Sequence, residues 1–595
     1  MCADSTTASQ SDINPDNTDG RNCSPAKALF RGEIVRSALW PFPGVESEQK
    51  EMLDMVVNSV DRFLADTQDD FGEWDRIGEQ PREFVDALRE LGLFGLIIPE
   101  EYGGIGLSNA GYSRVLQQTS RYDSSASLTI GAHSSIGMKG LLLFGTDAQK
   151  EQYLPRLASG ELIAAYCLTE PGAGSDAASI QTKAVRDSNG DWILNGEKTW
   201  ITNGGIADFF TVFARTDGDD GKMSAFIVER EFPGVSAGQK ESKLGIRASS
   251  TTSVNFNDVK VPAQNLLGEE GKGFKIAMSI LNNGRTGLGG AAVGGMKTCI
   301  ALAAKQALER KQFGQSIAEF GMIKKKISEM TVDCFAAESA VWMVAHYIDS
   351  GCSDYSTEAA ISKVFASEAM TRCADEALQI AAGSGYMTEL PYERIFRDAR
   401  ILTIFEGTSE ILRLFIALSG IRDAGRLLQE LGSAVEDIFN NPIKGFGLLS
   451  DYAGRRITNI TSIGQERIVG VVCEELRDDA LIFEKYALEL ARMTDVLLRR
   501  HGKSIVDKQF ALQRAADVVT DLFVGLCVLS RVSSMVADDS RQYRQALSIA
   551  HQFSHQAKRR MNRSLRAMLH NEDESAKSLA DYIYEVEGYP WDTLD

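Results

Sequence analysis

Near residue 161 the chain changes period, and that change constrains the fold more than any other feature. Upstream, apolar residues recur three or four apart in EMLDMVVNSVDRFLA and EFVDALRELGLFGL, the spacing of one buried helical stripe. SNAGYSRVLQQTSRYD reads as another helix, and the small-residue segment SLTIGAHSSIGMKGLLLFG as a buried helix pair. From 161 to 275 the pattern becomes short β-prone runs: AAYCLTE, TKAVRD, WILNGEKTWITN, DFFTVFARTD and MSAFIVERE, broken by Gly, Asn, Asp and Pro turns. Within them Asn195-Gly196 predicts a hairpin or tight turn. Helical periodicity returns at GFKIAMSILNNGR and continues to the C-terminus.

The expected fold class is therefore multidomain α+β. The expected regions are a disordered segment 1–24, an N-terminal helical domain 25–160, a middle β domain 161–275, a helical domain 276–420 and an additional helical domain 421–595 with a loop over 435–465. LWPFPGV, just after the polar N-terminus, reads as a packed strap. At 595 residues and 44% apolar content the chain is long enough for several cores.

The net charge of −19 disfavours nucleic-acid binding but leaves room for a local basic patch on an anionic ligand. Nine cysteines without a CxxC pair point to a reducing compartment rather than a disulfide framework. The N-terminus is neither a secretory signal nor a basic presequence, and no run of 18 apolar residues predicts a membrane span. The six histidines show no metal-ligand spacing, and no GxSxG elbow appears.

Several segments offer chemistry, each with a plainer alternative. LTEPGAGSD (168–176) follows a β run with an irregular turn that exposes backbone N–H groups, or is an ordinary surface loop. WITNG (200–204) offers a large ring and polar groups, or a core Trp before a turn. GEEGKGF lacks the dinucleotide-binding glycine spacing and marks a turn before a helix. Arg285 and Arg310 suit phosphate or ordinary ion pairs. AAGSGY (381–386) permits close ligand approach. In RIFRDARILTIFEGTSEILR, Glu406 lies among apolar residues, which raises a carboxyl's basicity. The alternative is a helix-start carboxylate favoured by the helix dipole.

AYCLTEPGAGSD, KTWITNGG, LNNGR, ERKQFG and IFEGTSEILR, in this order, resemble the acyl-CoA dehydrogenase family, specifically its very-long-chain type, which includes acyl-CoA dehydrogenase family member nine. The resemblance is strong over residues 40–420 and extends in position and length to the added helical region. It implies helical, β and helical domains around FAD, in a homodimer where one subunit reaches its neighbour's flavin pocket. By motif it places Leu168, Thr169, Trp200 and Thr202 beside the flavin and Ser175 at cofactor and CoA. Arg310 and Phe313 fall at the neighbour's FAD, Gln379 and Gly383 on the adenosine side, and Thr408 at FAD phosphate. Ala382 stands where the subgroup has a glycine.

The resemblance implies Glu406 as the base, Arg285 as an active-site support, and Gly407 as a close-approach residue. Gly137 and Gly140 are expected at the far end of the acyl cavity, leaving a deep tunnel for chains of dodecanoyl length or longer. The implied reaction converts saturated acyl-CoA to trans-2-enoyl-CoA, with electron-transferring flavoprotein as acceptor. An acyl-CoA oxidase and a non-catalytic respiratory-complex assembly scaffold are the rival readings. The expected location is bacterial cytoplasm, or the mitochondrial matrix or inner-membrane surface for a trimmed eukaryotic chain. Peripheral membrane contact is expected through residues 435–465 or the basic helix 555–569.

Overall fold

A computed structural model describes residues 24–45, 47–216, 221–438 and 467–593. Its first helix, α1 (Pro25–Leu29), starts where Ser24 accepts the Lys27 N–H and proline fills the first turn, so two N-terminal preferences coincide. The strap that follows packs Trp40 and Phe42 on the helical core, and Trp342 donates its indole N–H to the Pro43 carbonyl at 2.8 Å.

The N-terminal helices are α2 (Ser47–Asp66), α3 (Arg82–Glu90), α4 (Asn109–Ser120), α5 (Ser124–Gly131), α6 (Lys139–Phe144) and α7 (Asp147–Ala158). Asp123 caps α5 by accepting the Ala126 N–H, and Thr146 with Gln149 forms a capping box on α7. The expected pair in SLTIGAHSSIGMKGLLLFG is α5 and α6, but Ala132–Gly137 between them winds as a π-helix, a form that apolar spacing does not encode.

The β domain comprises β1 (Ala164–Cys167), β2 (Lys183–Arg186), β3 (Trp192–Thr202), β4 (Phe209–Arg215), β5 (Met223–Glu229), β6 (Val235–Lys240), β7 (Thr251–Val261) and β8 (Leu266–Leu267). The sheet order is β6-β7-β3-β2-β4-β5-β8, with β1 parallel to β4. Six consecutive residues of β4, Phe209 to Ala214, are buried, which explains its continuous apolar run. Asn195-Gly196 does not turn the chain, contrary to expectation. It lies inside β3 at a register shift against β7, where a Cβ on Gly196 would come within 2.4 Å of Thr182 Oγ1.

Next come α8 (Gly273–Glu309), a hairpin of β9 (Lys311–Gln312) and β10 (Gln315–Ser316), α9 (Gly321–Asp349), α10 (Ser356–Ala381), α11 (Tyr392–Ala399) and α12 (Ser409–Ile438). The glycines of α8 let α4 approach backbone to backbone: a Cβ on Gly294 would lie 2.1 Å from the Gln117 carbonyl. Beyond 467 follow α13 (Arg477–His501), α14 (Gln509–Ala537), α15 (Tyr543–Leu569) and α16 (Asp573–Val586).

Among the described residues the buried apolar side chains gather in two large cores. One joins the N-terminal helices to the β sheet; the other runs from α1 through α8–α12 into α13–α15. The expected boundary at 420/421 falls inside the unbroken helix α12. Among the described residues two helices, α8 and α14, have the length and mean composition of a bilayer span, though neither holds an unbroken run of 18 apolar residues. Most of each is buried inside the protein, because central core helices share that composition. Helix α15, which carries the basic stretch 555–569, buries Ala557, Met561 and Met568 and pairs Arg560 with Asp521. The expected segment 1–24, apart from Ser24, and nearly all of the loop 435–465 lie outside the described residues.

Candidate active site

Glu406 sits on a bend between the one-turn 3₁₀ helix Arg400–Thr403 and α12. It and Gly407 are both left-handed, with φ of 54° and 93°. Thr408, not Glu406, caps α12: its hydroxyl accepts the Ile411 N–H at 3.3 Å. The helix-start reading of Glu406 therefore fails, and its carboxylate faces inward. Glu406 Oε2 is buried with no hydrogen-bond partner, and a Cβ built on Gly284 would lie 3.6 Å from it.

Burial and two side chains tune that carboxylate. Burial pushes the Glu406 pKa up, while the charges of Arg285 and Lys363 act against the rise. Arg285, from α8, is buried and donates to Asn282 Oδ1 at 2.6 Å, with its Nε unpartnered. Burial lowers its pKa to about 10, partly offset by Glu406 and Tyr166. Lys363, from α10, is fully buried and donates to the Gly407 carbonyl at 2.8 Å. Burial pulls it down to about 8, again opposed by Glu406. Sequence reading missed Lys363; its only trace is one lysine inside the apolar run AAISKVFASEA.

The opposite wall comes from the β domain. Leu168, Thr169, Gly174 and Ser175 reach it from the loop after β1, and Trp200 and Thr202 from the end of β3. Beneath the loop, Lys198 and Glu170 form a buried ion pair at 2.6 Å, and Lys198 also donates to the Leu168 carbonyl. An irregularity in the β3–β7 register between Lys198 and Ile201, with Trp200 at φ 55°, turns the indole outward to 65% exposure while Ile201 beside it stays buried. Asn203 points elsewhere: it is buried and donates to the Thr129 carbonyl at 3.0 Å, tying the sheet to α5.

These walls enclose a cavity of about 360 Å³. Helix α8 lines it from Met278 to Ala291, roughly 20 Å at 1.5 Å per residue. Past Arg285 and Glu406 it continues to Leu116, Ser124, Leu128, Gly131 and Ala291. Gly137 and Gly140 do not line it, so the expected acyl-tunnel residues are corrected. A Cβ on Gly137 would lie 2.8 Å from Ala164, and one on Gly140 2.9 Å from Ile280, so both serve close packing. The small residues that open the cavity are Gly131, Ala132, Gly284 and Gly287.

The structure thus gathers Glu406, Arg285, Gly407, Leu168, Thr169, Ser175, Trp200 and Thr202 around one space. It does not bring Arg310, Phe313, Gln379, Gly383 or Thr408 to that lining within one chain. Arg310 precedes the β9–β10 hairpin and Phe313 lies in its turn, 95% exposed, and Gln379 and Gly383 are exposed near the end of α10. Ala382 has φ 54° and ψ −133°, a backbone suited to glycine.

The donor set fits a flat aromatic cofactor: an exposed indole and two threonines line the wall, and Cβ atoms on Gly172 and Gly174 would meet nothing within 4 Å. Matches to known families agree with this geometry. The chain matches the acyl-CoA dehydrogenase N-terminal domain over 46–161, the middle domain over 165–259 and the C-terminal domain over 271–420. The chain belongs to the acyl-CoA dehydrogenase family, whose members are FAD-dependent oxidoreductases. Residues 474–589 match the ACAD9/ACADV C-terminal domain, which marks the very-long-chain type within it.

Among its relatives, the human mitochondrial very long-chain specific acyl-CoA dehydrogenase is 44% identical over 89% of this chain and 83% of that protein. A probable acyl-CoA dehydrogenase of Bacillus subtilis is 37% identical over 80% and 81%. The relatives thus span mitochondrial and bacterial proteins. The crystal structure of an acyl-CoA dehydrogenase complexed with FAD from Bacillus anthracis superposes with TM-score 0.76 and 31% identity over 93% of this chain and 94% of that one. Butyryl-CoA dehydrogenase from Megasphaera elsdenii gives 0.61 and 38% over 63% and 98%.

Proposed function

We propose that this chain oxidises long-chain saturated acyl-CoA to trans-2-enoyl-CoA, with Glu406 removing the α-proton. The observation that carries this reading is an unpartnered buried carboxylate oxygen in a cavity whose α8 wall extends about two turns past it, to Ala291.

Glu406 acts as general base, and burial makes it a stronger one. Arg285 and Lys363 place positive charge nearby that opposes this rise and favours the carboxylate form. No described backbone hydrogen bond engages the Glu406 N–H, which leaves it free to stabilise charge on the thioester oxygen. Leu168, Thr169, Ser175, Trp200 and Thr202 would hold FAD on the far wall, and Gly407 lets the acyl group approach. When bound, FAD supplies the acceptor for the β-hydride. The apolar walls exclude water, which strengthens every polar contact at the thioester.

The exposed hairpin supports a homodimer in which Arg310 and Phe313 of one copy, with Gln379, Gly383 and Thr408, complete cofactor binding. Electron-transferring flavoprotein is the proposed acceptor. Location in bacterial cytoplasm or in mitochondria belongs to the same proposal and follows the range of relatives, and peripheral membrane contact is proposed through the basic helix stretch 555–569.

Turnover of a series from butyryl- to eicosanoyl-CoA, with and without an electron acceptor, tests the reading. Acceptor-dependent turnover greatest at palmitoyl-CoA or longer is expected. A maximum at butyryl- to octanoyl-CoA would remove the long-chain assignment, and stoichiometric peroxide without acceptor would make the protein an oxidase.

A further inference from the structure

We propose that Lys363 is the positioning residue of the base: its buried ammonium clasps the Gly407 carbonyl and so fixes the left-handed Glu406–Gly407 bend that aims the carboxylate into the cavity. This rests on Glu406 being the base.

An ammonium taken out of water is costly unless it is paired. Lys363 is 0% exposed and sits beside Ile361 and Val364 on α10, yet no carboxylate lies within ion-pair distance among the described salt bridges. The one hydrogen bond described for its Nζ goes to Gly407. Core helices normally place Ala or Leu at such a position, so the lysine is retained against its desolvation cost.

The bend supplies the reason. A residue with a Cβ is strained in the left-handed region, where the Cβ crowds the following carbonyl. Glu406 adopts it at φ 54°, and Gly407 beside it at 93°. No helix or strand hydrogen bond holds this pair, because α12 begins only at Ser409. The clasp on the Gly407 carbonyl therefore fixes the peptide immediately after the base.

Lys363 also has an electrostatic side. The charged groups around it are Glu406, Arg285 from α8, Glu368 from its own helix and Glu410 from α12. Those around Glu406 are Arg285 and Lys363, with the phenols of Tyr112 on α4 and Tyr166 on β1. Removing Lys363 leaves Arg285 as the one remaining cation of that set beside the base.

Two variants separate holding from charge. Lys363→Met removes both; Lys363→Gln keeps a donor without charge. Flavin absorbance of each purified variant first establishes an assembled fold. In Lys363→Met, substrate-dependent flavin reduction at its pH plateau should fall about 100-fold, the scale set by small misplacements of a reacting group, with KM little changed. The acid limb of kcat/KM should move to higher pH, since a cation favouring the carboxylate is gone. Lys363→Gln should show the same limb displacement with most of the plateau rate restored.

A Met variant with wild-type plateau and limb, alongside an inactive Glu406→Gln, overturns the role of Lys363 alone. A fully active Glu406→Gln overturns the base assignment instead. Should Lys363→Met fail to fold, Lys363→Ala, which also removes both donor and charge, replaces it alongside Lys363→Gln, and a plateau rate in Lys363→Ala equal to that of Lys363→Gln overturns the proposal.

Discussion

At Glu406 the side chain's identity was readable from IFEGTSEIL, but its direction was not. Direction depends on a left-handed backbone and on Lys363, which comes from another helix; neither has a local signature. The cavity glycines illustrate the same limit. SSIGMKG contains two small residues at helical spacing, yet the π-helical winding of Ala132–Gly137 turns them toward β1, β8 and α8. Gly131, one turn earlier, faces the cavity, and its Cβ would have 3.7 Å to Leu116. Gly131→Leu should therefore lower kcat/KM for palmitoyl-CoA at least tenfold while sparing butyryl-CoA. Gly140→Leu should instead destabilise by about 1–3 kcal/mol through overpacking, with the chain-length ratio unchanged. Equal chain-length profiles for Gly131→Leu and wild type would contradict this. Ala382, which stands where the subgroup has a glycine, carries backbone strain. Ala382→Gly should stabilise by about 1 kcal/mol in urea unfolding, and a loss of stability would show that the strain is imaginary.

Between elements, buried polar contacts do the joining, and sequence pattern is silent on them. The β runs were legible because alternation and turn residues are local, whereas Asn195-Gly196 misled because a bulge and a hairpin use the same residues. Lys198 and Glu170 pin the loop after β1 to β3. Burial favours the neutral acid at Glu170, but the Lys198 charge and hydrogen bonds from Lys198, Thr182 and Gln181 outweigh it and keep the pKa low. Lys198→Met should destabilise by about 3–5 kcal/mol in urea unfolding, because Glu170 is left buried and alone. Adding Glu170→Gln should recover part of that loss; no recovery would mean that packing, not charge, is responsible.

The α1 strap has its own pH dependence. Glu358 accepts Ser24 Oγ and the Ala26 N–H, and burial raises its pKa to about 7 despite those bonds. Its folded pKa exceeds the reference value of 4.5, so the folded state holds the proton more tightly. This contribution is complete below the reference value, declines as pH rises toward about 7, and is flat above it. It amounts to roughly 3 kcal/mol. Glu358→Gln should remove that decline from urea-unfolding stability measured across the same window; an unchanged slope would assign it to other groups.

For the whole molecule, the order helical, β, helical was plain from the change of period, since hydrophobic spacing reports element type directly. The number of cores was not, because core sharing depends on long-range packing. The added region does not hang from a linker: α12 enters it unbroken, α14 is buried within the shared core, and Arg413 joins Glu368 on α10 to Asp517 on α14. The scaffold that carries the Glu406 bend is therefore braced from both sides of α10. The family supplies FAD, and the cavity supplies space beyond the base. What remains most exposed to test is the proton step. Anaerobic mixing of FAD-loaded protein with palmitoyl-CoA, followed at the visible flavin band, compares wild type with Glu406→Gln. Wild type should bleach rapidly, and faster as pH rises through the elevated pKa of Glu406. The variant should retain the flavin spectrum and bleach about 10²–10⁴-fold more slowly. Bleaching of Glu406→Gln at the wild-type rate would contradict the account.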